Sequence, residues 1–195
     1  GIVSGESRFG PSGSSTMGDK TINKAIKAAR EDDSIDAIVL RIDSGGGSAL
    51  ASDQMWREIN LTTDNPDSTK NKPFIASMSD VAASGGYLIA CAGDEIYANS
   101  SSIVGSIGVI SASFGFQDAI KKIGVERRVY TAGKNKSTLD PFKEEKEEDI
   151  QRLKKIQLEL HSDFINVVKV SRGSKLIDTE KNNTFTGEFW SGSTS

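Results

Sequence analysis

The chain has 195 residues, a formal net charge of −3, one cysteine and one histidine. That length suits one large domain with a sizeable core, and the charge leaves no basic footprint, which argues against nucleic acid as the main partner. The lone Cys91 excludes an internal disulfide and a cysteine-rich zinc site, and no run is long enough to span a bilayer.

No signal peptide opens the sequence, which starts at Gly1 rather than methionine. The expectation is an excised or processed piece, from which an anchor or targeting segment could have been removed. Gly1 to Gly18 is rich in Gly and Ser and, after a short Ile2-Val3, reads as loop. Asp19 is an N-cap candidate for a helix over Lys20 to Arg30, with Ile22, Ala25, Ile26 and Ala29 at helical spacing. Ile35 to Ile42 is β-branched and nearly continuous, the pattern of a buried strand in a parallel sheet. It ends in Asp43-Ser44-Gly45-Gly46-Gly47-Ser48, and a helix from Ala49 to Leu61 follows, with Ser52, Met55, Trp56 and Ile59 on one face. Strand, glycine turn and helix make half of a βαβ unit.

Thr62 to Lys72 is polar and breaker-rich, a surface loop. Phe74-Ile75-Ala76-Ser77-Met78 then leads into Val81-Ala82-Ala83-Ser84-Gly85-Gly86-Tyr87, and the apolar Leu88 to Ala92 leads out. This is a second strand, tight turn and helix, with Ser84 at the bend. Short strands are predicted at Glu95–Ala98, at Ile107–Ile110 after a Gly105-Ser106 turn, and at Arg127–Thr131. Phe116 to Ile123 reads as helix and Ala132 to Phe142 as loop. A long amphipathic helix runs from Lys143 to Arg172, with an apolar stripe of Ile150, Leu153, Ile156, Leu160, Phe164 and Val167. Gly173 ends it, and the remaining tail is polar around Phe185, Phe189 and Trp190. Alternating strands and helices give an α/β fold.

Two turns and two lysines carry the chemistry. A hydroxyl at Ser84 sits at a helix start, where free N–H groups point outward and oxyanion donors are in place; the plainer reading is that Ser84 only caps the helix. The Asp43–Ser48 turn lacks the G-x-x-x-x-G-K-[ST] pattern of a phosphate loop. Its sharper reading is an oxyanion hole in which the Gly46 N–H joins that of Gly85. A serine nucleophile needs a base. His161, the one histidine, lies inside the long helix and reads as an ordinary partly buried residue. The alternative is a lysine kept neutral by desolvation. Lys134 and Lys136 stand in a loop of small residues that Pro141-Phe142 could cover, and periodicity does not choose between them.

Ile42-Asp43-Ser44-Gly45-Gly46-Gly47, Ala82-Ala83-Ser84-Gly85-Gly86-Tyr87, Gly105-Ser106-Ile107-Gly108-Val109-Ile110 and Gly133-Lys134-Asn135-Lys136 come in the order seen in signal peptide peptidase A and its SohB relatives. These are Ser-Lys serine proteases. The resemblance runs from Lys20 to Trp190, and Arg41 to Ile59 looks most like the plant plastid and cyanobacterial branch. It implies a ClpP/crotonase-like fold of repeated ββα units with a long amphipathic C-terminal helix. It also implies Ser84 as nucleophile, Lys136 as general base, Ser106 as the partner that orients the lysine, and Gly46 and Gly85 as oxyanion donors. One departure is Gly45, where the family usually has proline.

The reading is a single protease catalytic domain over 1–195, cut short at its C-terminus. Its function is cleavage of signal-peptide remnants or membrane-associated proteins, with no metal and no cofactor. The expected partners are peptide or protein substrates and further copies of the chain, arranged as a homo-oligomer whose active sites are shared between subunits. Membrane association would come through missing segments or assembly, at a plastid thylakoid or a bacterial extracytoplasmic face. The competing readings are a catalytically inactive scaffold subunit and an acyl-CoA enzyme of the crotonase fold.

Overall fold

Three short strands open the computed structural model, which describes residues 1–10, 15–177 and 179–194. Strand β1 (Ile2–Val3) runs parallel to β3 (Ser15–Gly18), and β2 (Arg8–Phe9) runs antiparallel to it. Within the stretch expected to be loop, Arg8–Phe9 and Ser15–Gly18 are therefore strands of a small sheet joined by bends; 11–14 lie outside the described residues. Strands of two to four residues are too short to show alternation, and non-local bonds fix them instead. The Gly5 N–H donates to Asp19 Oδ1 at 2.5 Å, and that of Ser7 to Thr21 Oγ1 at 2.9 Å.

Helix α1 (Asp19–Glu31) is capped at Gly18 by no side chain, so Asp19 is not its N-cap. The carboxylate is buried and serves Gly5 of the opening sheet instead. Strand β4 (Ile38–Ser44) starts later and ends later than its apolar run predicts. Helix α2 (Ala49–Thr63) is capped by Ser48, whose Oγ accepts from the Ala51 N–H at 3.3 Å. It buries Ala51, Ser52, Met55, Ile59 and Thr62.

Strand β5 (Phe74–Ala83) is central and leads into α3 (Gly85–Ala90). It pairs in parallel with β4, with β6 (Glu95–Ala98) along its first half and with β7 (Ile103–Gly105) along its last residues. The strand expected at Ile107–Ile110 is absent, and Ile103–Gly105 takes its place before the turn. Gly105 at φ 100 and Ser106 at φ 52 end the ladder, so the next residues cannot continue it.

Next come α4 (Gln117–Lys122), α5 (Glu147–Arg172) and β8 (Phe189–Ser191). The last of these lies antiparallel to β7 in the tail that reads as merely polar. No strand forms at Arg127–Thr131: Val129 is half-buried, Tyr130 is exposed, and no neighbouring strand pairs with the run. Helix α5 begins at Glu147 rather than Lys143, still with an acidic first turn. The α/β class is the one that the pattern predicts.

The chain divides into two compact units, one of Gly1–Gly108 with Asp163–Ser195 and one of Val109–Ser162. The first holds the mainly parallel sheet and two clusters. Ile42, Met55, Ile59, Phe74, Met78 and Ile89 lead one, and Leu88, Cys91, Ile107, Phe164 and Val168 form the other. No residue of the second unit is buried. Of the apolar stripe on α5, Phe164 is buried, whereas Ile156 and Leu160 are 52% and 41% exposed. Among the described residues no helix is long and apolar enough to cross a membrane.

Candidate active site

Strand β5 hands over to α3 through a single residue, Ser84, held at φ 52 and ψ −124. A side chain with a Cβ seldom adopts such a backbone, and where it does the strain must be held by its surroundings. Here the Ser84 N–H donates to the Gly105 carbonyl at 2.9 Å, and its own carbonyl accepts from the Leu88 N–H at 3.0 Å. Ser84 occupies the N-cap position of α3, but its side chain makes no capping bond. The capping role fails, and the half-buried hydroxyl is left for other work.

The two glycine turns meet backbone against backbone. A Cβ on Gly46 would stand 2.8 Å from Gly85 N and 3.1 Å from Ser84 Oγ. One on Gly85 would stand 2.4 Å from Ser52 Oγ, and one on Gly86 2.4 Å from the Ser44 carbonyl. Real Cβ atoms do not come this close, so the glycines are what let Gly46 lie over the Ser84–Gly85 bend. Gly47 is wedged in the same way against β1, where a Cβ would meet the Ile2 carbonyl at 2.1 Å. Gly46, Gly85 and Ser84 are thus brought together as the motif order suggests. The first N–H groups of a helix have no intrahelical acceptor, and Gly85 supplies one of them for α3. The Gly46 N–H is not idle: it donates to Ser44 Oγ at 3.1 Å. That contact lies two residues apart in sequence and matches the serine turns of loops, a pattern too common to single out from sequence.

Ser106 follows β7 as Ser84 follows β5. The strands end in register, Ala83 opposite Gly105, and both serines have φ 52. The Ser106 N–H is taken by the Glu188 carbonyl at 2.6 Å, just before β8. Trp190 of β8 covers Gly105 so closely that a Cβ there would lie 2.6 Å from its ring.

Lys136 belongs to the other unit. Its N–H donates to the Gly133 carbonyl at 3.2 Å in a tight turn, and its side chain is exposed, as is that of Lys134. Pro141-Phe142 do not form the expected cover. The Phe142 ring packs 5.7 Å from Phe116, and the Arg127 guanidinium sits 5.0 Å over it. His161 is half-buried on α5. Cys91 is buried, donates to the Leu88 carbonyl at 3.1 Å, and burial pushes its thiol up to about 12. It is core filler rather than a nucleophile.

The model of Peptidase family S49 matches residues 67–195. A Brucella abortus protein named Na(+)/H(+) antiporter NhaA is 53% identical over 170 residues, which is 87% of this chain and 22% of that protein. The chloroplastic serine protease SPPA of Arabidopsis thaliana is 37% identical over 180 residues, 90% of this chain and 26% of that protein. Protease 4 of Haemophilus influenzae is 35% identical over 187 residues, 94% of this chain and 29% of that protein. The chain therefore spans less than a third of the length of each of these relatives. The matched region contains Ser84, Ser106 and Lys136, and the parallel βα sheet agrees with the ClpP/crotonase-like fold that the motifs imply. By this sequence match, which covers more than half of it, the chain belongs to peptidase family S49.

Proposed function

We propose that the chain is the catalytic domain of a serine endopeptidase. The observation that carries this is Ser84 itself: a strained residue at a strand-to-helix bend, packed under a second glycine turn, whose hydroxyl does no capping. Strain of that kind is retained where a side chain must be aimed.

In this reading Ser84 Oγ attacks the scissile carbonyl and forms the new C–O bond. Its proton goes to the neutral amine of Lys136, and the carbonyl oxygen becomes an oxyanion held by the N–H groups of Gly46 and Gly85. Collapse breaks the C–N bond, and Lys136 returns the proton to the leaving amine. Water then repeats the sequence on the acyl-enzyme. Ser106 orients the lysine.

A solvated lysine is protonated and cannot serve as base. Because Lys136 is exposed in the single chain, the reading requires that something cover it. The uncovered apolar residues of Val109–Ser162 support a second copy of the chain in that role, with serine and lysine of one working site drawn from neighbouring subunits. The substrates are peptide segments in or near membranes, such as signal-peptide remnants, or membrane-associated proteins. The site of action is a membrane surface, plastid thylakoid or bacterial extracytoplasmic. The test is covalent labelling by a fluorophosphonate: the wild type should be modified at Ser84 and Ser84→Ala should not. A folded, assembled wild type that resists the probe overturns the proposal.

A further inference from the structure

The first turn contains three successive glycines, the sequence with the greatest backbone freedom. Gly45 is exposed, with nothing within 4 Å of where its Cβ would be. Gly46 is buried at φ 97 with its Cα against Ser84. Two bonds hold Gly46: its carbonyl accepts from the Ile2 N–H at 2.9 Å, and its N–H donates to Ser44 Oγ at 3.1 Å. Ser44 is only 5% exposed. The register shift after Ile42 carries it level with Ala82, and its carbonyl is lodged against Gly86. One residue thus touches both glycine turns, the first through its side chain and the second through its main chain.

We infer that Ser44 is a positioning residue for acyl transfer at Ser84: its hydroxyl fixes the Gly45–Gly46 peptide and keeps the buried Gly46 N–H paired until the oxyanion takes it over. This rests on the serine-peptidase reading. A buried N–H without an acceptor is costly, and a peptide between glycines has little else to stop it turning over. The hydroxyl prevents both. A neutral acceptor is suited to the task, because hydrogen bonds to an anion are roughly twice as strong as neutral ones. The N–H therefore gains little by leaving Ser44 for the uncharged carbonyl of bound substrate and gains much when the tetrahedral oxygen becomes charged. A gain confined to the transition state raises kcat rather than lowering KM.

The experiment compares wild type, Ser44→Ala, Gly45→Pro and the double variant as assembled protein. It measures peptide turnover, the rate of fluorophosphonate labelling, and amide hydrogen exchange over 44–48. Ser44→Ala should lower kcat and the labelling rate about tenfold, the scale of one neutral hydrogen bond. KM should stay within about twofold, and the Gly46 amide should exchange faster. Gly45 has no positive φ, follows an extended residue and has nothing within 4 Å of where its Cβ would be, so a proline ring meets no neighbour at that position and would stiffen the turn by a separate route. It should restore most of the lost kcat to Ser44→Ala with no hydroxyl present. An unchanged or raised kcat in Ser44→Ala overturns the inference. So does a loss that Gly45→Pro does not repair, which is what a merely structural serine gives. A wild type that is not labelled at Ser84 brings down the serine-peptidase reading first, and this inference with it.

Discussion

The two units of this chain differ in one physical respect: every buried residue belongs to the first, and none belongs to Val109–Ser162. The first unit offsets its ordering entropy with a core of Ile, Met, Phe and Ala under a parallel sheet. The second leaves Ile110, Phe114, Ile123 and Tyr130 at 73% to 91% exposed. Its order comes from helix bonds, the Arg127–Asp140 ion pair at 3.0 Å and turns such as that at Gly133. Exposed apolar side chains in such number mark a surface that works when something covers it. The proposed nucleophile, Ser84, belongs to the first unit, and the proposed base, Lys136, to the second.

The sharpest way to break this comparison is at the serine. Ser84→Ala should reduce peptide turnover about 10⁴-fold or more with the circular dichroism and assembly of the wild type; retained turnover ends the assignment. Next comes the lysine. Lys136→Ala should be equally silent, while Lys134→Ala and His161→Ala keep substantial activity. Coassembling Ser84→Ala with Lys136→Ala should then restore activity to as much as roughly a quarter of wild type, by random pairing around a closed ring. If subunit exchange is demonstrated and the mixture stays dead, serine and lysine meet within one chain.

A smaller pair of substitutions separates finished from unfinished directly. Ile59→Ala, in the core, should cost about 2–5 kcal/mol in denaturant unfolding. Ile123→Ala, 73% exposed, should cost the isolated chain no more than about 0.5 kcal/mol but weaken self-association in sedimentation. Equal costs in both assays would remove the distinction.

The smallest effect is alkaline. Burial pushes Cys91 from 9.0 up to about 12, and burial with the neighbouring Cys91 pushes Tyr87 from 10.0 up to about 12. The unfolded chain then loses these protons first, so folded stability is complete below about pH 9 and falls as pH rises towards 12. Unfolding midpoints measured across that window should decline, and Cys91→Ala should flatten the decline. A midpoint constant across the window counts against a buried thiol.

Much of the first unit was legible because its signals are local. The β-branched run before Asp43, the helical spacing of Met55 and Ile59, and the glycine pair after Ser84 each state their conformation within a few residues. What stayed hidden depends on distant partners. Strands β1, β2, β3 and β8 are too short to have a period, and the real position of β7 is set by pairing with the end of β5. Asp19 looks like a cap until the Gly5 N–H is seen to claim it. Lys136 stands out as a candidate base only through resemblance, since nothing near it in sequence or in the single chain separates it from Lys134. The Ser44–Gly46 bond had a signal, a serine two residues before a glycine, but that pattern is too common to single out.

The paired endings of β5 and β7 have a consequence for how such chains can vary. Ser84 and Ser106 are separated along the chain by a helix and two strands, yet their relative height is set by one rung, Ala83 opposite Gly105. The path between them can lengthen at its exposed turn, at Ser100–Ser101, without moving either residue. A slip of one rung would turn every side chain of β7 to the opposite face and part the two serines at once. Across distant chains of this design, the ladder and not the residue count is the yardstick by which the two positions should be aligned.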